Sequence, residues 1–214
     1  MIYTEEFDYD ILLKRLEAKQ PFDFARIGDG ESNAMFQDCR QPMNKDKHNY
    51  YPDMGERLLD IVKSCPTYHL GLQGLAYRQR TETFDNLSAE FGTIFCKSDF
   101  IHHANIKGRI QPFFDVLKTR DVVLIGNKNL ERLDKFDFEF YEIPMINAWL
   151  SYDKIKADIE RFMVKDKVVL YCAGMMAGIL IDDFQGRCTQ VDVGSAFDIW
   201  VGVISRGYHE SMKV

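Results

Sequence analysis

Apolar residues change their spacing several times along the chain, and each change predicts a new helix or strand. Over residues 6–19 they recur close to every third or fourth position, which is typical of an amphipathic helix. Over residues 21–27 they alternate with polar residues and stop at glycines, as in a half-buried strand. The same criteria predict helices at 31–38, 53–63, 84–95 and 110–118, a strand at 67–72, and only a weak pattern at 97–106.

Strands and helices alternate more clearly in the second half of the chain. Short runs rich in Val, Ile and Leu predict strands at 121–126, 138–143, 167–172 and 188–193. Helical spacing follows them at 128–134, 152–163, 176–183 and 196–204. Such alternation is typical of βαβ units, because parallel strands need a crossover connection. We therefore predict an α/β fold, a Rossmann-like, mostly parallel sheet with helices on both faces.

The composition is that of one globular domain. Of the 214 residues, 46% are hydrophobic, which is enough for a substantial core in a single domain spanning residues 1–214. The longest apolar runs are strand-length and fall short of the about 20 residues that cross a bilayer. The acidic N-terminal segment lacks the basic and apolar regions of a signal peptide. We expect a cytoplasmic protein without a transmembrane segment, and the sequence leaves its oligomeric state open.

Charge and cysteine content argue against two further classes. The formal net charge of −6 disfavours binding to the phosphate backbone of nucleic acids, so no nucleic acid is expected as a partner. The basic patches at 44–48 and 77–80 are short and suit a small anion or simply a solvated loop. The five cysteines are scattered without a Cys-x-x-Cys pair, so neither a disulfide framework nor a zinc ribbon is indicated.

The strongest chemical signal is an Arg-Ile-Gly-Asp-Gly-Glu run at the end of the first predicted strand. Asp29 and Glu31 are two positions apart, so an extended or tightly turned backbone would point both carboxylates at one hard cation. Gly28 and Gly30 can adopt positive φ and let an anion approach the backbone N–H groups. Arg26 adds a cation beside them. The run predicts a metal and diphosphate site; the alternative is a plain turn with a solvated glutamate.

The other predicted strand ends supply further candidates, because open α/β sheets bind ligands at the carboxyl ends of their strands. Gly126 and Gly174 lie between an apolar strand and a helix, where phosphates are commonly bound, although neither has a full glycine fingerprint. Asp192 could bind a ribose hydroxyl, act as a base, or cap the next helix. Asn147, after the strand at 138–143, is a further candidate for nucleotide binding, as are three neighbours of Gly126 and Asp192: Asn127, Gly194 and Ser195.

Four segments, taken together, resemble the GT-D-fold glycosyltransferases, a bacterial family first catalogued as a domain of unknown function. They are the Arg-Ile-Gly-Asp-Gly-Glu run, His-Asn-Tyr-Tyr-Pro-Asp-Met-Gly at 48–55, Ile-Pro-Met-Ile-Asn-Ala-Trp at 143–149, and Val-Asp-Val-Gly-Ser at 191–195. The resemblance extends from about residue 22 to about residue 198. One loop departs from it: Ala-Gly-Met-Met-Ala-Gly at 173–178 stands where the family tends to have Gly-Pro and a small residue.

The resemblance implies a metal-dependent glycosyltransferase that uses a nucleotide-diphosphate sugar, with a UDP-sugar favoured. Asp-Gly-Glu resembles the family's Asp-x-Glu metal motif, so Mn²⁺ or Mg²⁺ would be held by Asp29, Glu31 or both. Arg26 and the glycine N–H groups would stabilise charge on the leaving UDP. If the reaction inverts the anomeric carbon, Asp192 or Asp198 would serve as the general base. The acceptor would be a hydroxyl on a glycan, glycolipid or glycoprotein.

The loop residues keep alternative interpretations. Asn147 and Trp149 would face the base or the acceptor according to the resemblance, whereas in the plainer interpretation Asn147 holds a turn and Trp149 packs in the core. His48 faces the sugar or acceptor, or is simply exposed. His102 and His103 have no metal-ligand spacing and receive no role. The rival functions are another Rossmann-like metal-dependent transferase or phosphohydrolase, and a non-catalytic nucleotide-binding module.

Overall fold

The structure is a computed structural model that describes residues 6–36 and 48–212, without the side chains of residues 208 and 211. Three sequence features lie partly or wholly outside these residues: Cys39, most of the basic patch at 44–48, and the end of the helix predicted at 31–38. No helix within the described ranges is both long enough and apolar enough to cross a membrane.

The described residues contain seven strands: β1 (Asp23–Ile27), β2 (His69–Leu72), β3 (Cys96–Lys97), β4 (Asp121–Gly126), β5 (Glu139–Glu142), β6 (Lys167–Tyr171) and β7 (Thr189–Asp192). They form one parallel sheet in the order β3-β2-β1-β7-β6-β4-β5. The predicted α/β, Rossmann-like class is confirmed. Because all seven strands are parallel, their carboxyl ends lie at one edge of the sheet.

The helices cover both faces, as predicted. The α-helices of the described residues are α1 (Tyr9–Glu17), α2 (Asp29–Met35), α3 (Pro52–Lys63), α4 (Gly74–Gln79), α5 (Thr81–Phe91), α6 (Phe100–Ile106), α7 (Gln111–Leu117), α8 (Tyr152–Ile159) and α9 (Ala177–Asp183). Short 3-10 helices occur at Lys128–Arg132, Ala148–Ser151, Glu160–Phe162, Gly174–Met176, Asp198–Val201 and Gly207–Ser211.

Local signals explain several of the helix boundaries. Asp8 begins α1, because its side chain accepts a hydrogen bond from Ile11 N at 2.9 Å. Gly92, with φ of +76°, ends α5 four residues before the predicted limit, since a left-handed residue stops the helical hydrogen bonds. The helices predicted at 128–134 and 196–204 are instead short 3-10 helices. The prediction omitted α4, because its six residues are too few to show a period.

Two cores lie on opposite faces of the sheet, because successive strand residues point in opposite directions. Ala25 and Ile27 of β1 pack into a core with α3, α5, α8 and α9. Phe24 packs into the other core with α1, α6 and α7. Arg26 shares a face with Phe24 but lies nearer the carboxyl end of β1. The fold therefore brings an arginine to the edge where all the strands end.

Candidate active site

A cavity of about 370 Å³ opens at the carboxyl edge of the sheet. Its volume is within the range of small-ligand sites. Every strand contributes a lining residue from the segment that follows it: Glu31 after β1, Gln73 after β2, Ser98 after β3, Asn127 after β4, Asn147 after β5, Gly174 after β6 and Gly194 after β7. Arg26, in β1 itself, also lines it. The cavity thus occupies the place where an open α/β sheet binds its ligand.

Arg26 is held by the turn that follows β7. Its Nη2 donates to Asp192 Oδ1 at 3.2 Å, and the same oxygen accepts from Gly194 N at 2.9 Å. Gly194 has φ of +54°, and a Cβ on it would lie 1.9 Å from Arg26 Nη2. A residue with a side chain would therefore displace the guanidinium. We call this arrangement of Asp192 and Gly194 around Arg26 the arginine seat.

The arginine seat leaves one donor of Arg26 without a partner. Arg26 Nε is buried and has no hydrogen-bond partner among the described residues. A buried unpaired donor costs folding free energy, so such a group calls for an explanation. Arg26 itself lines the cavity, so the unpaired donor lies at the wall of a space that could hold a ligand.

The predicted bases occupy different places. Asp192 is 2% exposed and is not among the cavity-lining residues, since its carboxylate lies behind Arg26. Asp198 lines the cavity, is half-buried, and accepts a hydrogen bond from Ser205 Oγ. Of the two, only Asp198 can meet a ligand in the cavity directly.

The Gly-Asp-Gly-Glu segment adopts a conformation different from the predicted one. It forms the first turn of α2, which begins at Asp29, two residues earlier than expected. Residues two positions apart on a helix point about 200° apart around its axis, so Asp29 and Glu31 do not share one side as an extended turn would place them. Glu31 Oε2 accepts from Gly28 N at 2.9 Å, whereas Asp29 is exposed. Both carboxylates still line the cavity.

The two glycines of this segment also serve a purpose other than the predicted one. Neither has positive φ; Gly28, for example, has φ of −96°. A Cβ on Gly28 would lie 2.9 Å from Glu31 Oε2, and one on Gly30 would lie 3.2 Å from Met175 Cγ. Gly28 leaves room for Glu31 to reach the backbone, and Gly30, which does not line the cavity, leaves room for Met175.

Glu31, Arg26 and Asp192 form one electrostatic cluster. Burial raises the pKa of Glu31 to about 7, and Asp192 adds to this effect against the opposing influence of Arg26 and Gly28 N–H. Burial also raises the pKa of Asp192, while Arg26 lowers it. One guanidinium therefore balances two acids whose pKa values are raised. A divalent cation in the cavity would hold Glu31 in its ionised form.

The carboxylates fit a metal that the ligand helps to bind. Within residues 6–36 and 48–212, no three His, Cys, Asp or Glu side chains are grouped so that they could hold a metal ion. Mg²⁺ commonly binds to one or two carboxylates together with substrate phosphates and water. Asp29 and Glu31 both line the cavity, so either one could supply such a carboxylate to a cation whose coordination a diphosphate completes.

The segment after β5 closes one end of the cavity. Asn147 has φ of +56°, a left-handed conformation that asparagine tolerates better than most residues. Its N–H donates to His48 Nδ1 at 3.4 Å, and its Oδ1 accepts from Asn49 N at 2.8 Å. Trp149 Nε1 donates to Asp53 Oδ2 at 3.1 Å. Asn147 therefore joins two segments of the cavity wall, and His48, Asn49 and Trp149 all line it.

The remaining predicted residues divide between packing and lining. A Cβ on Gly126 would lie 2.5 Å from Leu130 Cδ1, so this glycine is explained by packing and does not line the cavity. Asn127 lines it, and its Oδ1 accepts from Asn129 N at 3.0 Å. Gly174 lines it with φ of +58°, and Ser195 lines it as well.

The end of the cavity beside β3 was not predicted from the sequence. Ser98, His102 and Arg206 line this end, together with Gln73 and Ser205. Burial lowers the pKa of His102 well below its usual value, and the charges of Arg26 and Arg206 act in the same direction. The only sequence signal was the weak pattern at 97–106, because β3 has just two residues.

No protein-family model and no curated protein sequence matches the chain. Three solved structures, however, are similar to the chain. A glycosyltransferase of domain of unknown function 1792 from Streptococcus sanguinis matches with a TM-score of 0.69 at 16% identity, over 89% of this chain and 82% of that one. A structure of the same domain, described as having a distinct glycosyltransferase fold, matches with a TM-score of 0.63 at 20% identity, over 89% and 79% of the two chains.

A selenomethionine-substituted structure of that domain matches with a TM-score of 0.66 at 19% identity, again over 89% of this chain and 79% of that one. The likeness extends over nearly all of the described residues. It agrees with the family that the sequence segments resemble. The chain therefore has the fold of domain of unknown function 1792, which is a glycosyltransferase fold.

Proposed function

We propose that the protein is a glycosyltransferase that moves a sugar from a nucleotide-diphosphate sugar to a hydroxyl group of an acceptor. The observation that carries this proposal is the arginine seat, which holds Arg26 in the cavity wall and leaves its Nε without a hydrogen-bond partner among the described residues. A fixed guanidinium suits phosphate oxygens, because its N–H groups form paired hydrogen bonds with them. The glycosyltransferase fold of the structural neighbours supports the same class.

In this proposal the donor is a UDP-sugar and the acceptor is a glycan, glycolipid or glycoprotein. The uridine and the acceptor class follow from the sequence resemblance alone. The net charge of −6 supports the exclusion of nucleic acid as acceptor, since a duplex would meet repulsion over most of the surface.

Asp29, Glu31 or both would hold Mn²⁺ or Mg²⁺, and a bound cation would supply charge neutralisation at a leaving diphosphate. When the bond between the anomeric carbon and the diphosphate oxygen breaks, the electron pair stays on that oxygen. Arg26 stabilises the growing negative charge, because the arginine seat has already placed it. The Arg26 side chain therefore does not have to reorient during the reaction.

The acceptor oxygen forms the new bond to the anomeric carbon and must lose its proton. In an inverting reaction Asp198 receives that proton, because it lines the cavity whereas Asp192 lies behind Arg26. The hydrogen bond from Ser205 Oγ orients the Asp198 carboxylate. Asp192 then acts as a positioning residue through Arg26.

The test is a thermal-shift screen of nucleotides with and without Mn²⁺, followed by hydrolysis assays with several UDP-sugars. We expect UDP to stabilise the protein in a Mn²⁺-dependent manner and at least one donor to be hydrolysed. Metal-independent stabilisation by S-adenosylmethionine or NAD would favour another transferase. Binding of UDP without turnover of any donor, with or without acceptors, would indicate a non-catalytic module.

The Arg26→Lys variant tests the observation that carries the proposal. Lysine keeps the charge but loses the planar pair of donors, so UDP affinity should fall about tenfold or more. Arg187→Lys is the matched control, since Arg187 forms an exposed ion pair with Glu160 at 2.9 Å away from the cavity. Equal UDP affinity in both variants would show that Arg26 does not bind UDP.

A further inference from the structure

Arg26 divides the cavity into two chemically different ends. β1 stands between β2 and β3 on one side and β7, β6, β4 and β5 on the other. The end beside β5 presents apolar and amide groups, including Ile143, Pro144 and Asn147. The end beside β2 and β3 presents polar groups, including Gln73, Ser98 and His102.

At the end of the cavity beside β2 and β3, Ser98 has a buried hydroxyl group without a hydrogen-bond partner among the described residues. The residue is 1% exposed and lines the cavity. Nearly all buried hydroxyl groups in proteins have a partner, so an unpartnered one in a cavity wall points to a ligand. Arg26 Nε is a second buried polar atom of the same cavity in that condition.

The surroundings of Ser98 place it on the same face of the sheet as Arg26. Gly71 pairs with Arg26 in the register of β1 and β2. A Cβ on Gly71 would lie 2.8 Å from Ser98 Cβ and 3.0 Å from the ring of Phe24, the residue two positions before Arg26. Gly71 thus leaves the space that Ser98 occupies. The packing of Gly71 therefore fixes the position of the Cβ of Ser98 beside the sheet.

A nucleotide-diphosphate sugar has its diphosphate in the middle, with the base on one side and the sugar on the other. With the diphosphate at Arg26, the apolar and amide groups at the end beside β5 suit the flat base. The polar groups at the end beside β2 and β3 suit a sugar ring covered with hydroxyl groups. We infer that the sugar of the donor lies at the end beside β2 and β3, where Ser98 Oγ exchanges a hydrogen bond with a sugar hydroxyl. This inference rests on the proposed function, because it assumes such a donor.

The test compares UDP with UDP-glucose, UDP-galactose, UDP-N-acetylglucosamine and UDP-N-acetylgalactosamine, with Mn²⁺ present, in the wild type and in Ser98→Ala. The variant should bind UDP within twofold of the wild type and bind the preferred UDP-sugar about three- to tenfold more weakly, as expected for one hydrogen bond. The same loss is expected in kcat/KM for hydrolysis of that donor. Its melting temperature without ligand should equal or exceed that of the wild type, because the variant removes an unpaired buried hydroxyl.

Ser88→Ala is the matched control. Ser88 Oγ donates to Thr93 O at 2.7 Å, away from the cavity, so its loss should lower the melting temperature and leave both affinities unchanged. The inference is overturned if Ser98→Ala behaves like this control, or if it weakens UDP as much as the UDP-sugar. A wild type that binds neither UDP nor any of the UDP-sugars would overturn the proposed function itself, and that result is visible before any variant is made.

Discussion

The guanidinium of Arg26 occupies the space where the side chain of residue 194 would begin. A Cβ on Gly194 would lie 1.9 Å from Nη2 of Arg26 and 2.8 Å from its Cζ. Gly194 also has φ of +54°, which disfavours other residues. The glycine is therefore required twice, once by its own backbone and once by an arginine from a different strand.

A comparison of Gly194→Ala with Gly92→Ala separates the requirement of the backbone from the requirement of Arg26. The new methyl group in Gly194→Ala should push Arg26 out of the arginine seat, so UDP affinity in Mn²⁺ should fall at least about tenfold, as for the loss of a charged hydrogen bond. Gly92→Ala is the control, because Gly92 has φ of +76° and a Cβ there would meet no atom within 4 Å. Both variants should lose about 1 to 2 kcal/mol of unfolding free energy to backbone strain. Calorimetric UDP titration of both provides the measurement, and equal UDP affinities would contradict the arginine seat.

Asp29→Asn and Glu31→Gln should each lower turnover by at least about 100-fold, because each removes a charge from the proposed cation site. Glutamine can still accept the hydrogen bond from Gly28 N, so the start of α2 should survive. Glu90→Gln, an exposed change on α5, is the control and should be silent. Donor hydrolysis rates measure the loss of turnover, and circular dichroism spectra of the same variants show whether the fold is kept. Activity like that of the wild type in both site variants would refute the site.

Asp198→Asn and Asp192→Asn should have different effects. For an inverting reaction, Asp198→Asn removes the base and should slow turnover about 100-fold or more while UDP affinity stays within twofold. Asp192→Asn weakens the hold on Arg26, so UDP affinity itself should fall. Steady-state kinetics and UDP titrations of both variants test this difference. The reverse pattern would make Asp192 the base.

The stability of the metal-free protein should depend on pH through Glu31. Its pKa is raised from 4.5 to about 7, so between these values the folded protein holds a proton that the unfolded chain has lost. This contribution to stability is complete below about pH 4.5 and disappears as the pH rises through about 7, with a slope of at most about 1.4 kcal/mol per pH unit. Glu31→Gln removes it.

Urea unfolding of the wild type and Glu31→Gln in a chelator, from pH 5 to pH 8, tests this sign. The unfolding free energy of the variant should rise relative to that of the wild type as the pH increases. A difference that is constant over this range would mean that the folded and unfolded pKa values of Glu31 are the same.

Most of the order of strands and helices could be predicted from spacing alone, because helices and strands impose different local periods on apolar residues. The exceptions were β3, α4 and α6, which are too short to show a clear period. The parallel sheet followed from their alternation, and the rule for open α/β sheets pointed to the carboxyl ends of the strands, where the structure has a cavity. The same reasoning made Arg26, Asp192 and Gly194 candidate residues, and the structure brings these three together. What it misjudged was local conformation at a helix start: whether Glu31 extends from a turn or returns to Gly28 N depends on what surrounds it.

The sequence by itself determined the α/β class and brought Arg26, Asp29, Glu31 and Asp198 to one edge of the sheet. Only the tertiary structure decided which residues contact one another at that edge. Arg26 and Asp192 are 166 positions apart and meet because β1 and β7 are neighbours, a pairing that no local period encodes. Ser98 reaches the cavity because a two-residue strand pairs with β2, and so short a strand leaves no periodic signal. Periodicity reports the backbone near a residue, whereas the site depends on contacts between distant strands.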